Sequence, residues 1–277
     1  MTHNMKYIKT LGSTAANLVT TLHDRNQTLF GLADVKAITG LSYASAKAFV
    51  HTLVKRGLVT RLKPGLYILV PFEMGKDKEF AGEPYLVASV LAGGKQYYLS
   101  HGTAMDIHQM VTQPQLVVYV STSKRIHPKT IMGTEFRFIT CKRKALFGMT
   151  DYWVTKQKTV KVSDIERTVI DGLRHPEYCG GLTEVAKGLW MQREKVSPEQ
   201  LMRYAIRLDV GAVIRRLGFL LELYEMATEE ITKTLRKRLT RTYVPLDPLL
   251  PIQGKHLHRW RLRLNVEPEE FHAVVRT

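Results

Sequence analysis

Apolar residues in the first part of the chain recur every three or four positions in three separate stretches, which predicts three helices. The stretches are Tyr7–Arg25, Leu32–Ile38 and Ser42–Arg56. Gly40 and Gly57 follow the second and the third stretch, and glycine is the usual residue where a helix ends. The pattern therefore predicts one longer helix, then two helices separated by a tight turn.

Two apolar, extended segments come next, Leu58–Leu62 and Leu66–Val70. Lys63, Pro64 and Gly65 join them, and a turn of this composition between two such segments predicts a β-hairpin. Helix, turn, helix and hairpin in this order are typical of a winged helix-turn-helix, a module that usually binds duplex DNA.

A polar segment with glycine and proline, Pro71–Pro84, predicts a boundary between a domain of residues 1–75 and a domain of residues 80–277. Strands are predicted at Leu116–Ser121, Phe136–Cys141 and Trp153–Val162, and helices at Tyr85–Leu91, Asp164–Leu173, Leu182–Gln192, Pro198–Leu208, Ala212–Tyr224 and Thr228–Leu239. The expected fold class is α+β. We expect an N-terminal winged helix-turn-helix, then a larger mixed α/β domain with a small sheet and several C-terminal helices.

The charge of the chain agrees with a nucleic-acid partner. The sequence has 41 lysines and arginines against 25 acidic residues, a formal net charge of +16. Such an excess favours binding to phosphates, although a basic surface without this partner is the alternative. No acidic residue lies between Val35 and Phe72, the segment that contains the third helix and the hairpin.

Cysteine usage and hydropathy predict a cytoplasmic protein. Cys141 and Cys179 are the two cysteines, and without a second pair they complete no zinc site. Free thiols fit a reducing compartment. No apolar run approaches the ~18 residues of a membrane span, and the N-terminus lacks the apolar core of a signal peptide.

The residue pattern of the third helix predicts that one face packs against the protein core and that the opposite face contacts DNA. The residues expected to pack inward are Ala46, Phe49, Val50 and Leu53. The residues expected to contact base edges are Tyr43, Ser45, Lys47 and His51, and those expected to contact phosphates are Ser42, Lys55, Arg61 and Lys63. A winged helix that binds protein instead of DNA is the alternative.

Two further groups of basic residues predict additional surfaces for a nucleic acid or an acidic partner. The first group is Lys124, Arg125, Lys129, Arg137, Lys142, Arg143 and Lys144. The second group is Lys233, Arg236, Lys237, Arg238 and Arg241, for which a solvated helix face is the simpler interpretation.

No arrangement of residues predicts catalysis, a metal or a cofactor. His101 and His108 could share one helix face, but structural histidines are the better interpretation. The residues that would suit a metal-dependent nuclease are Asp164, Glu166 and Asp171 with Lys161 and Arg167. Asp164 is better explained as the N-cap of a helix, so we expect a protein that is not an enzyme.

Three blocks in series resemble the AbiEi-type antitoxins, the regulator half of type IV toxin–antitoxin operons. They are LADVKAITGLSYASAKAFVHTLVKRGLVTRLKPGLYIL, YYLSHGTAMDIHQM followed by QPQLVVYVST, and VKVSDIERTVIDGL followed by HPEYCGGLTEVAKGL. The resemblance spans roughly residues 25–225. It implies a winged helix that binds inverted repeats in its own promoter and represses the operon.

The same resemblance implies a C-terminal domain that counteracts a nucleotidyltransferase-like toxin, directly or indirectly, often in phage defence. Such proteins are not enzymes. The alternative is a plain winged-helix transcription regulator whose second domain senses a ligand or mediates oligomerisation. A nuclease is the other alternative.

Overall fold

The computed structural model describes residues 11–71, 83–94, 96–113, 115–131, 133–156 and 158–273. The chain divides into two compact units. The first unit contains residues 1–91 and 130–134, and the second contains residues 92–129 and 135–277. The fold is α+β, as predicted. No helix among the described residues is long and apolar enough to cross a bilayer.

The first unit contains the three predicted helices and the hairpin. The helices are α1 (Ser13–Asp24), α2 (Leu32–Thr39) and α3 (Tyr43–Lys55), with α4 (Pro84–Ala92) after the predicted boundary, and the strands are β1 (Leu29–Gly31), β2 (Val59–Lys63) and β3 (Leu66–Leu69). The part of the predicted first helix before residue 11 lies outside the described residues. The predicted limits of the two domains remain a prediction.

Local signals in the sequence explain where these elements end. Gly40 follows α2 with a φ of 72°, a left-handed conformation that glycine adopts without strain. Gly65 forms the hairpin turn with a φ of 77°. Strand β1 was not predicted, and it pairs antiparallel with β3, so that the sheet has the order β1-β3-β2. The hairpin is therefore joined on one side to the segment that leads into α2.

A sheet forms the first half of the second unit. Its strands are β4 (Tyr97–Leu99), β5 (Val117–Thr122), β7 (Thr134–Thr140), β8 (Met149–Thr155) and β9 (Lys158–Ser163), and the short β6 (Lys129–Ile131) precedes β7. The five strands pair in the order β7-β5-β4-β9-β8. Strands β5 and β7 run parallel, as do β4 and β9. Helix α5 (His101–Ile107) lies between β4 and β5 in sequence.

Helices dominate the second half of this unit. They are α6 (Ile165–Arg174), α7 (Leu182–Met191), α8 (Pro198–Leu208), α9 (Gly211–Leu223), α10 (Glu229–Arg236) and α11 (Pro268–Ala273). A second small sheet has the order β10-β12-β11, from β10 (Val244–Pro245), β11 (Lys255–Leu257) and β12 (Leu262–Leu264). The sequence patterns predict helices α6 to α10 but not this sheet.

Trp260, between β11 and β12, anchors the second small sheet to the helical core. Its side chain is buried, and its indole Nε1 donates to Glu222 Oε2 at 2.6 Å. Gly218 on α9 makes room for the ring, because a Cβ at this position would lie 2.1 Å from the indole. A glycine inside a helix is here required by close packing rather than by backbone conformation.

Candidate nucleic-acid interface

Helix α3 has two faces of opposite character. Ala46, Val50 and Leu53 are buried in the core of the first unit, and Phe49 packs beside them half-buried. This is the inner face that the periodicity predicts. The outer face is exposed and consists of Tyr43, Ala44, Lys47, Ala48, His51 and Lys55. Tyr43 leaves 61% of its surface in solvent, so its ring and hydroxyl are open to a ligand that lies along this face.

The N-terminus of α3 is fixed by two serines. Ser42 Oγ accepts a hydrogen bond from the Ser45 backbone N–H at 3.2 Å and donates to Ser45 Oγ at 2.9 Å. This is the N-cap that the sequence predicts. Both serines are exposed, so the capped end of the helix is open to an incoming group. A helix N-terminus of this kind favours a negative charge, such as a phosphate.

A groove of about 820 Å³ lies between the outer face of α3 and the tip of the hairpin. It is lined by Leu32, Tyr43, Ala44, Lys47, Ala48, His51, Val54, Arg61, Pro64, Gly65 and Tyr67. The groove thus brings together four of the eight predicted DNA-binding residues. Among these lining residues no side chain is a carboxylate, and two are permanently cationic.

Arg61 and Lys63, both predicted to contact phosphate, have different surroundings. Arg61 is exposed and lines the groove. Lys63 is half-buried, and its Nζ donates to the Val90 carbonyl at 2.8 Å. The strand pairing shifts register between the two residues. Such a shift in pairing changes the direction of successive side chains, which accounts for the different surroundings of Arg61 and Lys63.

Sequence reasoning missed the residues that form the walls and floor of the groove. Leu32, Val54 and Tyr67 line it but were assigned only to helices and strands. Phe30 on β1 holds Tyr67 in place, with ring centroids 5.9 Å apart. The short apolar run around Phe30 was the available signal for β1, but three residues are too few to predict a strand by periodicity.

The second unit brings part of the first basic group together. The parallel strands β5 and β7 end at the same edge of the sheet, where the Cys141 N–H donates to the Thr122 carbonyl at 2.9 Å. The residues that follow the two strands are exposed: Lys124, Arg125, Lys142, Arg143 and Lys144. Arg137 of the same group instead pairs with Glu135 at 2.6 Å.

The two histidines considered for a metal site have structural partners. His108 Nε2 lies 2.6 Å from the Ser163 carbonyl oxygen, and His101 Nδ1 lies 2.8 Å from Ser100 Oγ. Burial lowers the pKa of His101 to about 4, so this imidazole is neutral at physiological pH. Within the described part of the chain, no cluster of three or more candidate metal ligands occurs.

The carboxylates considered for a nuclease each hold a different part of the fold. Asp164 caps α6 by accepting from the Arg167 N–H at 2.7 Å, as predicted. Glu166 accepts from the Ser197 N–H at 2.9 Å. Asp171 accepts from Arg167 at 2.8 Å and from the Tyr98 hydroxyl at 2.9 Å. Lys161 pairs with Asp151 on the neighbouring strand rather than with any of these groups.

Both cysteines are free thiols with little nucleophilic character. Burial raises the pKa of Cys141 to about 11 and raises that of the fully buried Cys179 well above its usual value. Since the thiolate is the reactive form, both thiols are unreactive at neutral pH.

Comparisons with known proteins give one match to a family model and one to a solved structure. A solved structure, that of the RV2827C protein from Mycobacterium tuberculosis, has a TM-score of 0.70 to this chain at 13% sequence identity. The match covers 98% of this chain and 97% of that one, and at this identity it shows a shared fold. A search of curated proteins finds no match. Residues 17–70, which contain α2, α3 and the hairpin, match the family model described as a transcriptional regulator and AbiEi antitoxin, and the predicted resemblance to this family is confirmed over that segment.

Proposed function

We propose that the chain is a DNA-binding transcriptional autorepressor and the antitoxin of a type IV toxin–antitoxin operon. In this proposal the first unit acts as a winged helix: α3 enters the major groove of duplex DNA, and the hairpin contacts the flanking backbone. The observation that carries the proposal is the groove between α3 and the hairpin, which has cationic groups and no carboxylate among its lining residues.

The outer face of α3 has the shape that access to base edges requires. The small side chains of Ala44 and Ala48 leave the helix backbone accessible on this face. The longer side chains of Tyr43, Lys47 and His51 lie beside them. Small residues allow the backbone to approach the bases, and longer polar side chains then reach donors and acceptors on their edges. We assign base contacts to Tyr43, Ser45, Lys47 and His51.

Phosphate contacts follow from the exposed cations and the capped helix end. Arg61 and Lys55 are exposed, and neither side chain forms a hydrogen bond or ion pair with a described residue, so their charges are available to the DNA backbone. Ser42 lies at the N-terminus of α3, where a phosphate is favoured. Lys63 contributes less, because its ammonium is bound to Val90 within the protein.

The central experiment measures binding of the promoter fragment from the chain's own operon by fluorescence anisotropy at several salt concentrations. Arg61→Gln is expected to weaken all duplexes and to lower the salt slope by about one. Lys47→Ala is expected to relax sequence preference. Arg25→Gln, an exposed cation of the same unit that does not line the groove, is the matched control. Equal slopes for the Arg61 and Arg25 variants would contradict the proposed interface.

Autorepression and antitoxin activity are tested in cells. A promoter–reporter fusion is expected to be repressed by the wild-type chain and released by Lys47→Ala. Co-expression with the neighbouring open reading frame tests the antitoxin activity, for which the family match is the support. Rescue of growth supports an antitoxin, and a neighbour that is harmless when expressed alone contradicts it.

The exposed cations that follow β5 and β7 are the proposed second contact surface, for nucleic acid or for the toxin. Lys142, Arg143 and Lys144 are consecutive and exposed. Replacing all three with glutamate is expected to reduce rescue if the surface serves the antitoxin function. If the same variant instead lowers promoter affinity, the surface belongs to the DNA footprint.

A further inference from the structure

A second concave site lies in the second unit and is formed by two chain segments. The first segment runs from the first residue of α10, Glu229, to Arg241, and the second is the turn that follows β11. The cavity measures about 720 Å³. This volume lies in the range of small-molecule sites, about 300–1,000 Å³.

The lining of this pocket is strongly cationic. Six lysines and arginines line it, and Glu229 is the single carboxylate among the lining residues. Lys233 and Arg236 lie in the last turn of α10, where the helix dipole favours cations, so they have a structural explanation. Lys237 is the C-cap residue of the same helix end, whereas Arg241 lies outside the helix and has no such explanation.

Most of these charges are not neutralised by the protein. Arg259 pairs with Glu222 at 2.6 Å. The side chains of Lys233, Arg236, Lys237 and Arg241 form no hydrogen bond or ion pair with any described residue. Cations that converge on one concavity repel each other, and an anion bound among them would relieve this repulsion.

A buried arginine adds positive charge behind the wall of the pocket. Arg215 on α9 is 2% exposed and has no carboxylate partner among the described residues. Its guanidinium donates to Thr240 Oγ1 at 2.8 Å and to the Thr242 carbonyl at 3.0 Å, while its Nε has no partner. Burial and the nearby charge of Arg261 lower its pKa. The hydrogen bonds of Arg215, which include one to the Gly211 carbonyl at 2.8 Å, all go to neutral oxygens, so its net positive charge remains behind Thr240, a residue that lines the pocket.

The turn that carries His258, Arg259 and Arg261 is held rigidly. Trp260, at its centre, is buried and bonded to Glu222. Arg261 adopts a φ of 53°, a left-handed conformation rare for a residue with a side chain. Its guanidinium donates to the Tyr243 hydroxyl at 3.0 Å. The backbone of this turn is thus fixed before any ligand arrives, which lowers the entropic cost of binding.

We propose that this pocket binds a compact polyphosphate ligand of the nucleoside di- or triphosphate class. Guanidinium groups match phosphate oxygens in geometry and charge, and several of them converge here. A nucleic-acid backbone is the less suitable occupant, because it favours cations spread along a groove rather than gathered in one concavity. The pocket would give the second unit a ligand-sensing function in addition to DNA regulation.

Calorimetric titration of the full chain with ATP and with inorganic triphosphate tests this proposal at physiological salt. Arg236→Gln combined with Arg241→Gln is expected to weaken binding of both probes by about tenfold or more. Arg238→Gln, an exposed cation of the same segment that does not line the pocket, is the matched control. Thermal unfolding of all variants checks that they are folded.

The two probes distinguish the source of the phosphates, since tighter binding of ATP indicates a nucleoside and equal binding indicates the phosphates alone. The proposal is overturned if neither probe binds the wild-type chain, or if the double variant binds as tightly as Arg238→Gln. It is also overturned if a single-stranded oligonucleotide binds through Arg236 and Arg241 and triphosphate does not. None of these outcomes depends on promoter binding by the first unit.

Discussion

The outer face of α3 and the polar core of the second unit use the same residue types for opposite purposes. On α3 and the hairpin, Lys47 and Arg61 are exposed and lie in a groove without carboxylates. In the second unit, Arg167 and Asp171 are almost fully buried and bonded to each other. The comparison shows that residue type alone does not determine the role of a cation. An exposed cation without a carboxylate partner is available to a ligand, whereas a buried cation that is bonded to a carboxylate stabilises the fold.

The largest expected effect comes from breaking the buried pair. Asp171→Asn leaves Arg167 buried without its counter-charge, and such a change typically costs about 3–5 kcal/mol of unfolding free energy. Burial lowers the pKa of Arg167, but Asp171 and Tyr98 more than compensate, so the guanidinium stays charged. Urea unfolding at neutral pH measures the loss.

Glu135→Gln is the matched control for that experiment, because it removes the carboxylate of an exposed pair with Arg137. It is expected to cost less than about 1 kcal/mol. Similar losses of unfolding free energy in the two variants would show that the buried pair stabilises the fold no more than the exposed pair does. Burial would then not distinguish a cation that holds the fold from one that is available to a ligand.

The next largest expected effect is a decrease in unfolding free energy at acidic pH that arises from His101. The pKa of His101 is about 4 in the folded chain and about 6.5 when unfolded, so below pH 6.5 the unfolded chain binds a proton that the folded chain does not. The stability is complete above pH 6.5 and falls as the pH decreases toward 4. Between pH 7 and pH 5 the loss from this group is about 2 kcal/mol.

His101→Asn tests the assignment, since asparagine tolerates the φ of 52° at this position. Its unfolding free energy is expected to change less between pH 7 and pH 5 than that of the wild type. His127→Asn, at an exposed histidine, is expected to keep the wild-type dependence. An unchanged pH dependence in His101→Asn would refute the role of this group.

The smallest effects on stability are expected in the hairpin. Two cations that lie two residues apart differ there in the same way, since Arg61 is exposed and Lys63 is bonded within the protein. Arg61→Gln is expected to change unfolding free energy by less than about 0.5 kcal/mol while weakening promoter binding. Lys63→Gln loses the bond to Val90 and is expected to cost about 1 kcal/mol with little effect on DNA. The reverse pattern would assign phosphate contact to Lys63.

The sequence predicted those parts of the fold whose signals are local. Helices α2 and α3 followed from apolar periodicity, the Ser42 cap and the glycines that end them. Strand β1 was missed because three residues become a strand only through pairing with β3. The sheet of β10, β11 and β12 was missed for the same reason.

In the candidate site, as in the fold, the features that depend on neighbouring residues in the sequence were predictable, and those that depend on distant residues were not. The exposure of Tyr43, Lys47 and His51 follows from helix geometry, since the opposite face is apolar. The bond of Lys63 depends on where Val90 lies in the folded chain, 27 residues away. Pairing of Arg167 with Asp171 was within reach of the sequence, because residues four apart face each other on a helix.

Strand β1 has a consequence for the kinetics of DNA recognition. Because β3 is the central strand and is bonded on both sides, the hairpin is part of a three-stranded sheet rather than a free arm, and the groove has its width before DNA arrives. Little chain entropy is then lost on association, and encounter is governed by charge and diffusion. We expect operator and non-operator duplexes to associate at similar rates and to differ chiefly in how long each complex lasts.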